Sequence, residues 1–298
     1  MEELGNENDK VVIVNADLMG TCRNSSFVDS FPNRSFNVGI AEQNMVSFAA
    51  GLANEGYIPY VFSMAPFISM RACEQCRTDV AYSNLKVRLV ATYAGLSGGI
   101  SGATHWSIED CGIMSSIPNM TVIEPCDPIQ AKKILHKSMN FDGPIYIRSS
   151  VEPVKSIYSD NTDIEIGRAI ECRSGKDGTF ICSGNIVHFA IEASEFIKEN
   201  YNKEIAVYDM HTIKPIDEDC IKSVAKSKNI VVAQDHNIIG GLGSAVAMVI
   251  AKNNLDVNFR VLGITDEFVP MAHASYLYNC FGYDTDGLIK TMIELINN

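Results

Sequence analysis

Basic charge is scarce in this chain: 24 lysines and arginines stand against 36 aspartates and glutamates in 298 residues, a formal net charge of −12. Without a concentrated basic patch, such a surface is repelled by nucleic acid and by anionic membranes, which leaves small molecules and other proteins as partners. Long apolar runs are absent as well. No stretch approaches the length of a membrane span, and Met1 to Lys10 is polar and acidic where a signal peptide needs an apolar core, so a cytoplasmic location is expected. The nine cysteines are an odd number scattered through apolar segments, which suits a reducing compartment where cysteine behaves as a small hydrophobe. Cys73 and Cys76 form a C-x-x-C, yet no second Cys or His pair follows at zinc spacing, so no metal site is expected on this chain. A complete G-x-G-x-x-G is also missing. Gly240-Gly241-Leu242-Gly243 opens a helix after a strand but has no acidic partner at dinucleotide spacing, and tight strand-to-helix packing explains it more simply. Short-period repeats and low-complexity tracts are not found.

What is present is enough apolar material, 46% of residues, for two ordinary cores, and a length that predicts about two domains. Short apolar runs alternate with amphipathic helical stretches almost throughout, the pattern of parallel sheets built from βαβ units. Strands are expected at Val11 to Asn15, Tyr57 to Phe62, Val87 to Thr92, Thr121 to Ile123 and Ile145 to Arg148. Asp127-Pro128-Ile129-Gln130 reads as a helix start, with Asp as N-cap, Pro at the first helical position and Gln able to close a capping box. After Arg148 the pattern breaks into a polar stretch, and a second alternating set follows. Its strands are expected near Thr179 to Cys182, Ile205 to Tyr208, Ile230 to Ala233 and Phe259 to Leu262. Its helices are expected near Ile186 to Glu199, Asp217 to Ala225 and Leu242 to Asn253. The expected fold class is thus α/β with two parallel-sheet domains, residues 1–150 and 167–298, joined by a linker at 151–166.

The most informative segment is Phe36-Asn37-Val38-Gly39-Ile40-Ala41-Glu42-Gln43-Asn44-Met45, which sets a carboxylate inside an almost wholly apolar stretch before a helix of small residues. Burial disfavours the ionised form of a carboxyl, so a Glu42 sunk here is expected to sit protonated and to donate a hydrogen bond, as active-site acids do. Alternatively Glu42 merely occupies the first helical turn, where the dipole favours a carboxylate. A second candidate is the glycine-rich loop Tyr93 to His105, between a strand and a helical run. Loops at the carboxyl ends of parallel strands bind ligands in such folds, which places His105 well as a proton donor or acceptor; it could equally cap a helix. Phe62, Met64, Phe67 and Met70 read as core, although Phe67 could present its face to a flat ring.

Taken together, Asn15-Ala16-Asp17-Leu18, Gly39 to Met45, Gly102-Ala103-Thr104-His105, Ile117 to Ile123, Gly143 to Arg148 and Gly240-Gly241-Leu242-Gly243 resemble, in order and over nearly the whole length, the C-terminal half of transketolase. The likeness is to the split form, in which the enzyme is made of two subunits. The resemblance implies a thiamine-diphosphate pyrimidine-binding domain followed by the transketolase C-terminal domain, with thiamine diphosphate as cofactor and transfer of a two-carbon ketol unit between sugars as activity. Glu42 matches the glutamate that hydrogen-bonds N1′ of the aminopyrimidine and favours its imino tautomer, while the cofactor does the carbon chemistry. Phe67 matches an aromatic that packs on that ring, Asp17 and Leu18 match residues lining the cofactor pocket, and His105 matches a contact to substrate oxygens.

The same resemblance exposes departures. The family's Gly-Asp-Gly motif and downstream Asn, which hold the diphosphate and metal, are absent, so Mg2+ or Ca2+ is expected on an N-terminal partner subunit, in an α2β2 heterotetramer. Where transketolases commonly read Glu-Asp-Gly-Ala-Thr-His, this chain has Ile100-Ser101-Gly102-Ala103-Thr104-His105, with Ser101 replacing the Asp that contacts the donor's hydroxyl. Counting on from Arg148, the family's phosphate-binding arginine falls at Val151. An atypical sugar, unphosphorylated, deoxygenated or nucleotide-linked, is therefore expected, with Arg71 or a partner residue as the fallback phosphate contact. Other readings are a deoxyxylulose-phosphate-synthase-like enzyme, which Arg71-Ala72-Cys73-Glu74-Gln75 resembles as well as it does short transketolases, the β subunit of a 2-oxoacid dehydrogenase, and a non-catalytic scaffold.

Overall fold

A computed structural model describes residues 1–297. Among the described residues, twelve strands form two sheets. The first contains β1 (Val11–Asn15), β2 (Ser35–Asn37), β3 (Ile58–Met64), β4 (Arg88–Thr92), β5 (Thr121–Ile123), β6 (Ile145–Arg148) and β10 (Thr212–Lys214), in the order β10-β5-β6-β4-β3-β1-β2. The second contains β7 (Ile170–Arg173), β8 (Gly178–Cys182), β9 (Ile205–Asp209), β11 (Asn229–Asn237) and β12 (Asn258–Ile264), in the order β12-β11-β8-β9-β7. Pairing is parallel except at two edges, where β10 runs against β5 and β7 against β9. Val11–Asn15, Ile58–Met64 and Gly178–Cys182 are buried at every position, the burial expected of parallel strands covered by helices on both faces. The expected fold class, two mostly parallel sheets with helices, is what the molecule has.

The helix starting at Pro128 is capped as its sequence demands: Asp127 Oδ1 accepts from Gln130 N at 2.7 Å. The Gln130 side chain turns back to the Cys126 N–H at 2.7 Å, one residue earlier than a standard capping box. The second Asp127 oxygen takes up the Ile157 and Tyr158 N–H groups, at 2.7 and 2.9 Å. The polar stretch after Arg148 is consequently docked on this helix, with Tyr158 and Ile164 buried.

Three short strands have no sequence counterpart. β10 matters most, because a segment from the second half of the chain extends the edge of the first sheet: Thr212 pairs with Ile123 and Lys214 with Val122. β11 also runs four residues beyond its apolar part, through Gln234-Asp235-His236-Asn237, all but the last buried. Among the aromatic and methionine side chains read as core, Phe62 and Met64 are buried, but Met70 is a correction: it is 44% exposed. The helical turn it sits in carries it to the outside, where an apolar-run count has no direction.

The glycine cluster at 240–243 is a packing device. A Cβ at Gly240 would stand 2.9 Å from the Gly112 Cα, at Gly241 2.5 Å from Gln234 Oε1 and at Gly243 2.3 Å from Val261 Cγ1.

Candidate active site

The adjacent strands β4, β3, β1 and β2 deliver the site residues from their carboxyl ends. After β2 the chain turns through Gly39, at φ +77°, and Glu42 becomes the first residue of the Glu42–Asn54 helix. After β3 comes a wide helical turn with i→i+5 bonding, Phe67–Arg71, a geometry frequent at functional sites. After β4 comes the loop that ends in His105.

Glu42 is in the first helical turn and 1% exposed, so both sequence readings of its position hold. It is not isolated there: Arg71 Nη1 donates to Glu42 Oε2 at 2.7 Å. An opposite charge is the ordinary means of keeping a buried carboxylate. Arg71 also lies over the Phe67 ring, 4.2 Å from its centroid, and Phe67 meets the His105 ring edge-on at 5.7 Å. His105 is exposed, its Nδ1 held to Thr104 Oγ1 at 2.7 Å. Glu42, Arg71, Phe67 and His105 thus form one continuous set of contacts.

The other Glu42 oxygen differs from its twin. Oε1 is buried and has no hydrogen-bond partner. Such a lone carboxyl oxygen is unusual in a folded protein and fits a ligand that brings a hydrogen-bonding partner to it.

Asp17 and Leu18 follow β1. Asp17 is exposed and has φ +61°; Asn37 Oδ1 accepts its N–H at 3.0 Å and the Asn37 Nδ2 donates to its carboxylate at 3.1 Å. Asn37 Oδ1 accepts from Gly39 N as well, at 3.1 Å, so one side chain ties the Asp17 corner to the turn before Glu42. Among the described residues, no hydrogen bond or ring contact joins Asp17 or Leu18 to Phe67 or His105. Ser101 is exposed in the His105 loop. Val151 lines a separate cleft of about 460 Å3, together with Thr21, Arg23, Thr92 and Asn185. Sequence reasoning assigned no part to Asn37 or Arg23, and cast Arg71 toward a phosphate when it is engaged by Glu42. Asn37 lay within the most informative segment, and its place one turn before glycine was the available signal. Among the described residues no group of His, Cys, Asp and Glu has the makings of a metal site.

A buried acid, an aromatic face and a loop histidine lie at the carboxyl ends of neighbouring parallel strands, where folds of this kind bind ligands. Residues 1–155 match the family model described as "Transketolase, pyrimidine binding domain", and residues 167–288 match "Transketolase, C-terminal domain". A "Putative transketolase C-terminal section" of Methanocaldococcus jannaschii is 42% identical, covering 98% of this chain and 92% of that protein. A "6-deoxy-6-sulfo-D-fructose transketolase subunit" of a Clostridium species is 36% identical, covering 98% and 91%. A solved structure described as "Split gene transketolase, inactive beta4 tetramer" superposes with a TM-score of 0.88 at 34% identity, covering 99% of this chain and 95% of that one. The chain belongs to the transketolase family, as the resemblance of its motifs implied. That family depends on thiamine diphosphate, and among the described residues no helix is long and apolar enough to cross a membrane.

Proposed function

We propose that this chain is the pyrimidine-side subunit of a two-chain transketolase that moves a two-carbon ketol unit between sugars, at least one of them atypical. The observation that carries the reading is the buried, unpartnered Glu42 Oε1, in a carboxyl group that Arg71 links to Phe67. An aminopyrimidine fits there: its ring nitrogen meets Glu42 and its face meets Phe67, with Asp17 and Leu18 toward the rest of the cofactor. Bound thiamine diphosphate would supply the carbon nucleophile that opens and re-forms the ketol bond. The chain's own residues do the rest. Glu42 Oε1 hydrogen-bonds the ring nitrogen, and Arg71 fixes the Glu42 carboxyl group from the other side. His105, edge-on to Phe67, reaches toward substrate oxygens. The diphosphate and any Mg2+ or Ca2+ fall to an N-terminal partner subunit, and two copies of each chain give each cofactor both faces. The solved relative described as inactive is a tetramer of one subunit type, which supports the need for a second chain.

For the sugar, Ser101 and Val151 stand where the family's carboxylate and guanidinium are expected, and Arg71 is engaged by Glu42. Arg23 lines the same cleft as Val151 and is a cation this chain offers there for a substrate's anionic end. The Clostridium relative is named for a sugar bearing a sulfonate at its sixth carbon, in keeping with an altered anion contact.

Titration calorimetry with thiamine diphosphate, on this chain alone and with its partner, is the test, followed by kcat/KM for pentose phosphates against unphosphorylated and sulfonated sugars. Tight binding and turnover by this chain alone would overturn the two-chain reading. Pentose phosphates turning over at ordinary transketolase efficiency would overturn the atypical substrate.

A further inference from the structure

The His105 loop springs from the first sheet but rests on the second. It leaves β4 and returns to a neck where Gly95 N–H donates to Ser107 O at 2.7 Å. One residue past the neck, Leu96 N–H donates to both carboxylate oxygens of Asp235, each at 2.9 Å. Asp235 lies in the polar tail of β11, in the other sheet, and is 1% exposed. Its carboxylate takes two further donors, the hydroxyls of Tyr278 at 3.1 Å and Tyr283 at 3.0 Å.

Glycines in the loop show how closely it is bedded. A Cβ at Gly95 would stand 2.2 Å from the Asp235 Cγ, at Gly99 2.9 Å from the Ala272 carbonyl oxygen and at Gly102 2.8 Å from Met271 Sδ. All three have positive φ, so the backbone itself is shaped to this contact. On the far side of the neck, Asn237 N–H donates to Ile108 O at 2.8 Å. The upper part of the loop, Ile100, Ser101 and Ala103 to His105, is exposed and draws little support from its own sheet.

We propose that Asp235 is a positioning residue that fixes the loop of residues 94–107 and thereby holds His105 against Phe67, giving the C-terminal domain a direct part in the site. A buried carboxylate is expensive to keep, and this one has no cation on its oxygens: Arg148 reaches only its backbone carbonyl, at 2.9 Å. Its donors are the loop N–H and two tyrosines of the second domain. The acid therefore joins the loop to that domain's floor. The consequence for His105 rests on the reading of His105 as a substrate contact.

Hydrogen exchange of the full chain separates this from a general structural role. Asp235→Asn keeps the volume but turns an amide toward donors. Exchange in residues 94–107 should rise roughly tenfold, the scale of one lost hydrogen bond, while β3 and β8 stay protected. Met292→Ala, in the buried core beneath Gly178, is the control; it lowers stability without touching the loop and should leave loop exchange unchanged. If Asp235→Asn does not fold, Gly95→Ala breaks the same contact from the loop's side and should give the same local signature. Unchanged loop exchange, or equal rises in the variant and the control, overturns the proposal. In the assembled enzyme the variant should raise KM for the ketose donor about tenfold with thiamine diphosphate affinity unchanged; an unaltered KM overturns the link to His105. The exchange measurement needs no turnover, so an inactive wild-type assembly refutes the proposed function without deciding the loop.

Discussion

Two charged clusters lie at the carboxyl ends of the first sheet, and they are built on opposite plans. At the outer one, Glu42, Arg71, Phe67 and His105 share contacts at a half-open surface, and one buried carboxylate oxygen is left without a donor. At the inner one, between the two sheets, Arg148 is fully buried and bonds Asp110 through Nε and Nη2, at 2.9 and 3.1 Å, and Glu124 through Nη1. Every carboxylate oxygen there is matched. Tyr146 donates to Asp110 at 2.8 Å, and Ser183 and Gln234 donate to Glu124 at 2.6 and 2.7 Å. Although burial works the other way, Arg148 and its hydrogen bonds hold Asp110 below the usual carboxylate range. The inner cluster has the higher charge and the deeper burial, and it is structural. Unmet hydrogen-bonding capacity, rather than density of charge, is what singles out the outer one.

The widest separation between the clusters should come from Glu42→Gln. An amide keeps the side chain's shape and loses the acid, so kcat of the assembled enzyme should fall about 10²- to 10⁴-fold while the urea midpoint barely moves. Exchange of the cofactor's C2 proton at the wild-type rate would contradict the role assigned to Glu42.

Arg148→Met should do the reverse. It strands Asp110 and Glu124 as buried carboxylates without a cation, and loss of one partner from such a set destabilises by about 3–5 kcal/mol. Equilibrium urea unfolding is the measurement. A change under about 1 kcal/mol would mean that the tyrosine, serine and glutamine donors suffice to hold the carboxylates, and that the seam owes little to its cation.

The contrast also explains what the sequence could convey. Val11–Asn15, Thr121–Ile123 and Ile145–Arg148 are continuous apolar runs, and the structure has strands with those bounds. Glu42 was conspicuous because its neighbours are apolar, a local signal. The inner seam has none. Gln234, Asp235 and His236 lie past the expected end of the strand at Ala233, and nothing nearby says that Glu124, more than a hundred positions earlier, or the loop at Leu96 awaits them. β10 is three residues long and finds its partner in a distant strand. Arg71 was legible as a cation near the site, but its choice of Glu42 over a phosphate depends on the turn after β3, which apolar periodicity does not describe.

The most gradual effect belongs to an acid that lies between the two plans. Asp209 ends β9 and is fully buried; Gln130 at 2.6 Å, Tyr158 at 2.8 Å and the Cys126 thiol at 3.5 Å all donate to its Oδ2, while Oδ1 has no partner and no cation is bonded to it. Burial pushes it up to about 7 from an ordinary 3.8. The folded chain therefore keeps a proton that the unfolded chain gives up, so the contribution of Asp209 to stability is full below the ordinary value and is lost as pH rises to about 7. His211, two residues on, works in the opposite sense: burial lowers it from 6.5 to about 4, and its contribution is present above 6.5 and lost as pH falls. In the wild type the two slopes oppose each other between these limits. Asp209→Asn removes one of them, so the variant should gain on the wild type as pH rises from about 4 to 7, by up to about 1.4 kcal/mol per pH unit. Urea unfolding at half-unit pH steps checks this. Parallel stability curves for the two proteins would show that Asp209 is ionised in the folded chain, and that an acid in this seam can remain charged with hydrogen bonds alone.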